Sequence, residues 1–161
     1  MIPSETLSLF FAASVLLALA PGPDNLFVLM QSAMSGWMAG FAITAGLCTG
    51  LIVHTAAVAF GVAAVMQASP VAFMLLKTLG ALYLLYLAWR AFTAGEQVPG
   101  SGDDRSDNLR LYRRGIVMNV TNPKVAIFFL AFLPQFADPQ QGHLTLQILS
   151  LGAVFMLAAM L

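Results

Sequence analysis

The sequence predicts an all-α, polytopic membrane protein, a helix bundle with five visible transmembrane segments, and three observations carry that expectation. Of its 161 residues 60% are hydrophobic and only 9% charged, with a mean hydropathy of +0.86; a soluble domain carries about 25% charged residues and could not bury so much apolar surface. From Asn25 to Leu76 there is no Asp, Glu, Lys or Arg. The apolar runs are long enough to cross a hydrocarbon core of about 30 Å, which takes about 20 helical residues.

The first segment runs from Leu7 to Gln31 and is interrupted at Pro21-Gly22-Pro23. Its Ala18-Leu19-Ala20 resembles a leader cleavage site, but the residues before it include Glu5 and no Lys or Arg, and Pro21 would follow the cut, so the segment is expected to be retained. The second, Phe41 to Met66, contains Gly46 and Gly50, a G-x-x-x-G step that lets two helix backbones approach closely within one subunit or between subunits. His54, four residues further on, shares that face. The third, Val71 to Trp89, carries Lys77 and ends with Tyr83, Tyr86 and Trp89, which suit a membrane interface. A polar stretch, Gly95 to Arg114, follows, and its Pro99-Gly100-Ser101-Gly102-Asp103 reads as a solvated loop. The fourth segment, Gly115 to Phe136, is broken at Asn122-Pro123, and the fifth begins at Leu144 and is still apolar at Leu161, which reads as a chain cut short of a further helix. One membrane domain is expected over 1–161: a three-helix half over 1–92, a polar loop over 93–114, and the start of a second half over 115–161.

Orientation follows from the basic residues. Arg90, Arg105, Arg110, Arg113 and Arg114 belong to the loop between the third and fourth segments or to its flanks, and no other connection carries more than one Lys or Arg. That loop is therefore expected on the cytoplasmic side, with the N-terminus outside.

The two broken helices carry the most chemistry. Pro21 and Pro23 remove backbone donors, leaving carbonyls near Leu17 to Leu19 without their helical partners. Lipid cannot satisfy them, so the break must face protein or a water-filled cavity. Asp24 and Asn25 follow at once, at a depth where a charge costs at least about 3 kcal/mol on insertion scales. The fourth segment repeats the arrangement with the opposite charge, as Asn119, Asn122, Pro123 and Lys124. Counting about nine residues from Gly115 to Lys124 and about eleven from Asp24 to Ser35 puts the two charges roughly 13 and 16 Å from one membrane face. At these similar depths they can meet or flank a common site. Intramembrane charges are functional by default, and paired breaks in corresponding segments of two halves mark the site of a transporter built from inverted three-helix repeats. His54 and Lys77 are the other ionisable candidates, for proton coupling or as an ion-pair partner of Asp24.

Other classes are excluded by inventory. The formal net charge is +0 and no basic run interleaves with aromatics, so nucleic acid is not expected as a partner. One cysteine, Cys48, and two histidines cannot build a multi-cysteine metal site or a disulfide. Two histidines, one cysteine and Asp24 as the sole intramembrane acid are too small an inventory for a nucleophile with its base or a metal cluster, and no enzyme is expected. No phosphate-binding G-x-x-x-x-G-K-[ST] loop is present, so any work must draw on a gradient, and no cofactor is expected.

Three stretches are together diagnostic: Ala20-Pro21-Gly22-Pro23-Asp24-Asn25-Leu26, the run from Lys77 to Arg90 (KTLGALYLLYLAWR), and Asn122-Pro123-Lys124 followed by Phe128-Phe129 and Pro134-Gln135-Phe136. In this order, across essentially the whole chain, the sequence resembles the lysine exporter and threonine/homoserine efflux family of bacterial amino-acid exporters. The resemblance implies six helices and a proton-driven secondary exporter of amino acids or related metabolites in the bacterial inner membrane. On that reading Asp24 with freed carbonyls holds the ammonium of an amino-acid-like substrate, and Lys124 with exposed amides holds the carboxylate. A non-transporting scaffold or a small channel is the alternative, since helix breaks also line pores. The small size and the Gly46–Gly50 step are consistent with a homodimer within the lipid bilayer.

Overall fold

The computed structural model describes residues 2–20, 22–62, 64, 69–93 and 107–160. Among them every regular element is helical. Helix α1, Ser4–Leu19, starts behind Pro3 with Glu5 in its first turn, where the helix dipole favours an acid. Helix α2, Pro23–Ser35, opens with proline at its first position, where the missing N–H costs nothing. Pro21 lies outside the described residues, and the two helices stand at 59° to each other across the break. Gly36, with φ of 87°, makes the one-residue turn into α3, Trp37–Ala57, in a conformation that a side chain would strain. A π turn, Val58–Val62, continues α3.

Helix α4 spans Pro70–Thr93. Helix α5, Asn108–Thr121, is started by Asp107, whose carboxylate accepts from the Leu109 amide. The expectation that residues 108–114 belong to the polar loop is thus corrected, because this cap begins the helix two turns earlier. Helix α6, Pro123–Ile127, again opens on proline, at 51° to α5. It loosens into a π turn, Phe128–Phe132, and tightens into a 3₁₀ turn, Leu133–Phe136. Gln147 then ties the loop before α7, Leu144–Ala159: its Oε1 accepts from the Asp138 amide and its Nε2 donates to the Asp138 and Gly142 carbonyls.

Among the described residues one helix, Trp37–Gly61, is by length and composition long and apolar enough to cross a membrane, and three spans result if each bent pair counts as one. The apolar parts of α4, Pro70–Tyr86, and α7 are shorter. Leu9, Leu16, Leu19, Trp37, Phe41, Leu79 and Trp89 all stand exposed, an outer surface that suits lipid rather than water.

The interior rests on small residues. A side chain on Gly46 would meet the Tyr112 carbonyl, and one on Gly115 would meet the Ile43 carbonyl, so α3 and α5 cross backbone to backbone. Thr49 Oγ1 and Tyr112 Oη bond across the same crossing at 2.9 Å. The G-x-x-x-G step is therefore used inside the chain. Further along the crossing, Gly50 leaves room for the Asn119 side chain. An aromatic core closes the bundle, with Phe155 of α7 5.0 and 5.1 Å from the rings of Phe128 and Phe129, and Phe10 of α1 behind them.

Candidate functional site

The two breaks, far apart in sequence, meet in space. Asn122 is the residue that joins them. As the N-cap of α6 its Oδ1 accepts from the Lys124 amide at 3.0 Å, and its Nδ2 donates to Asp24 Oδ2 at 2.9 Å. Asp24 sits in the first turn of α2, where its charge suits the positive end of the helix. Asp24 is buried, and its second oxygen, Oδ1, is closed off without a hydrogen-bond partner.

Lys124 crosses in the other direction. Its Nζ donates to the carbonyls of Leu17 at 2.8 Å and Ala20 at 2.9 Å, at the negative end of α1. Leu17 is the residue whose carbonyl would have taken the amide of Pro21, and proline has none. Asn25 Nδ2 donates to the Ala18 carbonyl at 2.7 Å. Of the carbonyls expected to hold a substrate, those of Leu17 and Ala18 are already occupied, by Lys124 and Asn25, because a carbonyl orphaned inside the bilayer is costly.

The second break is capped in the same way from the first half. The Asn119 carbonyl has lost the amide that Pro123 cannot supply. It accepts instead from the Asn122 amide at 3.0 Å and meets His54 Nε2 at 3.2 Å. A carbonyl only accepts, so Nε2 carries the hydrogen. His54 is buried and packs on the ring of Phe129, 5.6 Å away. Each half therefore supplies a nitrogen donor for the carbonyl that a proline orphans in the other.

Between the breaks lies a cavity of about 90 Å³. Gly22, Asp24, Asn25, Asn119, Asn122 and Lys124 line it, as sequence reasoning grouped them. Leu17 and Ala18 of α1 join them, and the rest of the wall was not foreseen: Thr44, Leu47, Cys48 and Leu51 of α3, Val125 of α6, and Phe155 and Ala159 of α7. The α3 set is spaced as one helical face, a signal present in the sequence but lost in a helix that is apolar all round. Cys48 is half-buried on this wall rather than fully buried in the core. Asn119 Oδ1, like Asp24 Oδ1, is buried and unpartnered.

Lys77 is not part of this site. It lies on the exposed side of α4 and does not line the cavity, so the expectation that it pairs with Asp24 is corrected: Asp24 is met by Asn122 and faces Lys124. Pro23 and Pro123 set the two helix starts but stand exposed.

Comparison with known proteins places the chain among membrane translocators. The chain is 38% identical over 146 residues to the homoserine/homoserine lactone efflux protein of Salmonella typhimurium, covering 89% of this chain and 69% of that protein. It is 36% identical over 155 residues to the protein of the same name from Salmonella typhi, covering 94% and 74%. An uncharacterized membrane protein of Pseudomonas aeruginosa is 34% identical over 154 residues, covering 91% and 71%. No solved structure matches the chain. The profile of the LysE type translocators matches residues 15–161 and so takes in both breaks, the cavity between them and α7. Such a match implies a multi-pass protein of the bacterial inner membrane that moves small molecules and is not an enzyme, and on it the chain belongs to the LysE type translocator family.

Proposed function

We propose that the protein is a secondary active exporter of amino acids or closely related metabolites, coupled to the proton gradient, and that the cavity between the two helix breaks is its transport site. One observation carries the reading most directly. Charged and polar groups from two breaks at opposite ends of the chain bond to one another across a common cavity, Asn122 to Asp24 and Lys124 to the end of α1. At roughly 10 to 15 Å³ per water-sized position, this cavity of about 90 Å³ has room for about six to nine such positions. That is the scale of a small amino acid. Two relatives carry homoserine and homoserine lactone in their names, and we extend that substrate class to this chain.

The halves are read as inverted repeats, each beginning with a helix that breaks before a proline and a charge, Pro23-Asp24 and Pro123-Lys124. Transport is then a rocking of one half against the other about the fixed site, with the arginine-rich loop on the cytoplasmic side. Asp24 and His54 are the groups that would carry the coupled proton.

Purified protein in proteoliposomes tests this. Internal unlabelled homoserine should accelerate uptake of external labelled homoserine, and an imposed proton gradient should drive accumulation. Uptake that depends only on the concentration difference, with no acceleration by internal substrate, would identify a channel and refute the exporter.

A further inference from the structure

A hydroxyl inside an apolar helix is normally spent on the helix itself, on the carbonyl one turn back. Among the described threonines beyond the first turn of a helix, Thr49, Thr55, Thr78, Thr93 and Thr121 all donate to the carbonyl four residues earlier. Thr44 is the exception. It stands inside α3, yet its hydroxyl makes no hydrogen bond to the protein. Nor is the hydroxyl sealed in. Thr44 is half-buried and lines the cavity, and its oxygen is not closed off as those of Asp24 and Asn119 are. Around it the α3 and α7 wall is apolar, made by Leu47, Leu51, Phe155 and Ala159, with only the weak thiol of Cys48 besides. A hydroxyl left unpaired away from water is costly, so the partner of Thr44 comes from whatever the cavity holds.

We infer that Thr44 is a specificity-determining residue, whose hydroxyl bonds to a polar group on the side chain of the transported molecule. This deepens the exporter reading and rests on it. Gly36 joins α2 to α3, and a side chain on Gly40 would meet Ser32, so residues four places either side of the turn face each other. The same register sets Asp24 level with Cys48, and Thr44 one helical turn, about 6 Å, nearer to Gly36. A ligand whose charged groups stay at the level of the breaks reaches Thr44 with a side chain that points toward Gly36. Pointed the other way, the side chain meets Leu51 and Phe155, which offer no hydrogen bond. An apolar side chain beside Thr44 would displace water and leave the hydroxyl unpaired, whereas one with a single hydrogen-bonding group would replace that water.

Two variants test this. Thr44→Val keeps the shape of the side chain and removes the hydroxyl, and Thr44→Ser keeps the hydroxyl. In proteoliposomes showing counterflow of a trace of labelled homoserine, half-inhibiting concentrations are measured for homoserine and for α-aminobutyrate, the same carbon chain without its hydroxyl. In Thr44→Val homoserine should be weaker by about five- to tenfold, the contribution of one neutral hydrogen bond, with α-aminobutyrate unchanged within about twofold. Thr44→Ser should keep the wild-type ratio of the two. Equal weakening of both compounds in Thr44→Val would mean that Thr44 does not read the side chain, and no change in either would mean that it touches no ligand. Loss of the ratio in Thr44→Ser as well would assign it to packing. Each of these overturns the inference while the exporter stands. If the wild type shows no homoserine counterflow, the exporter reading falls and the role of Thr44 with it.

Discussion

Asn122 is the side chain on which both halves depend, and replacing it separates two contributions that the structure superimposes. Its Oδ1 caps α6 through the Lys124 amide, and its Nδ2 reaches Asp24 Oδ2 at 2.9 Å. Serine is as good a helix cap as asparagine but is too short to reach Asp24, so Asn122→Ser should lose only the bond to the carboxylate. A hydrogen bond to a charged group contributes about 1.5 to 3 kcal/mol. Alanine loses the cap as well, for a further loss of about 1 kcal/mol. The expected order of stability is therefore wild type, then Asn122→Ser lower by about 2 kcal/mol, then Asn122→Ala lower by about 3 kcal/mol in all. Asn122→Asp keeps the cap but sets a second carboxylate against Asp24 Oδ2, and should be worse than serine. Reversible denaturant unfolding in detergent micelles measures the order, and counterflow measures the effect on transport. A serine variant as stable as wild type would show that the Asn122–Asp24 bond contributes nothing and would refute the joining role. Equal losses for serine and alanine would refute the cap.

Other outcomes follow from the same geometry. His54→Gln retains a nitrogen donor near the Asn119 carbonyl and should keep most of the stability, whereas His54→Phe strands that carbonyl and should lose about 1 to 3 kcal/mol in the same unfolding assay; equal behaviour of the two would remove His54 as a cap. The charge swap Asp24→Lys with Lys124→Asp should not rescue either single change, because each charge is matched to its own helix end, Asp24 to the start of α2 and Lys124 to the last carbonyls of α1; folded protein restored to wild-type level by the swap would mean that only their mutual attraction counts. A cysteine placed at Ser101 should resist an impermeant thiol reagent in intact cells and react after permeabilisation, and labelling from outside would invert the topology.

The sequence by itself determined the class of protein and grouped the residues of the two breaks that line one cavity. Apolar runs of membrane length, and charges that a bilayer tolerates only for a reason, need no coordinates to interpret, because lipid imposes the same rule on every segment. Proline's missing donor is equally local, so the breaks at Pro23 and Pro123 were legible, as was the list of freed carbonyls beneath the first of them. Sequence could not say what those carbonyls bond to. Only the tertiary structure decided that Lys124 and Asn25 fill the places left at the first break and His54 the one at the second, since those donors come from residues brought near by the crossing of α3 with α5 and the packing of α6 beside α1. It likewise decided that Lys77 faces outward, because a charge on an apolar helix reads the same from either side until the helix has neighbours. The start of α5 at Asn108 was visible in principle through the Asp107 cap, but a polar, arginine-rich first turn reads as loop when hydropathy is the guide. The orphaned oxygens of Asp24 and Asn119 belong wholly to the tertiary structure, for whether a polar atom has a partner is a property of everything around it and of no segment alone.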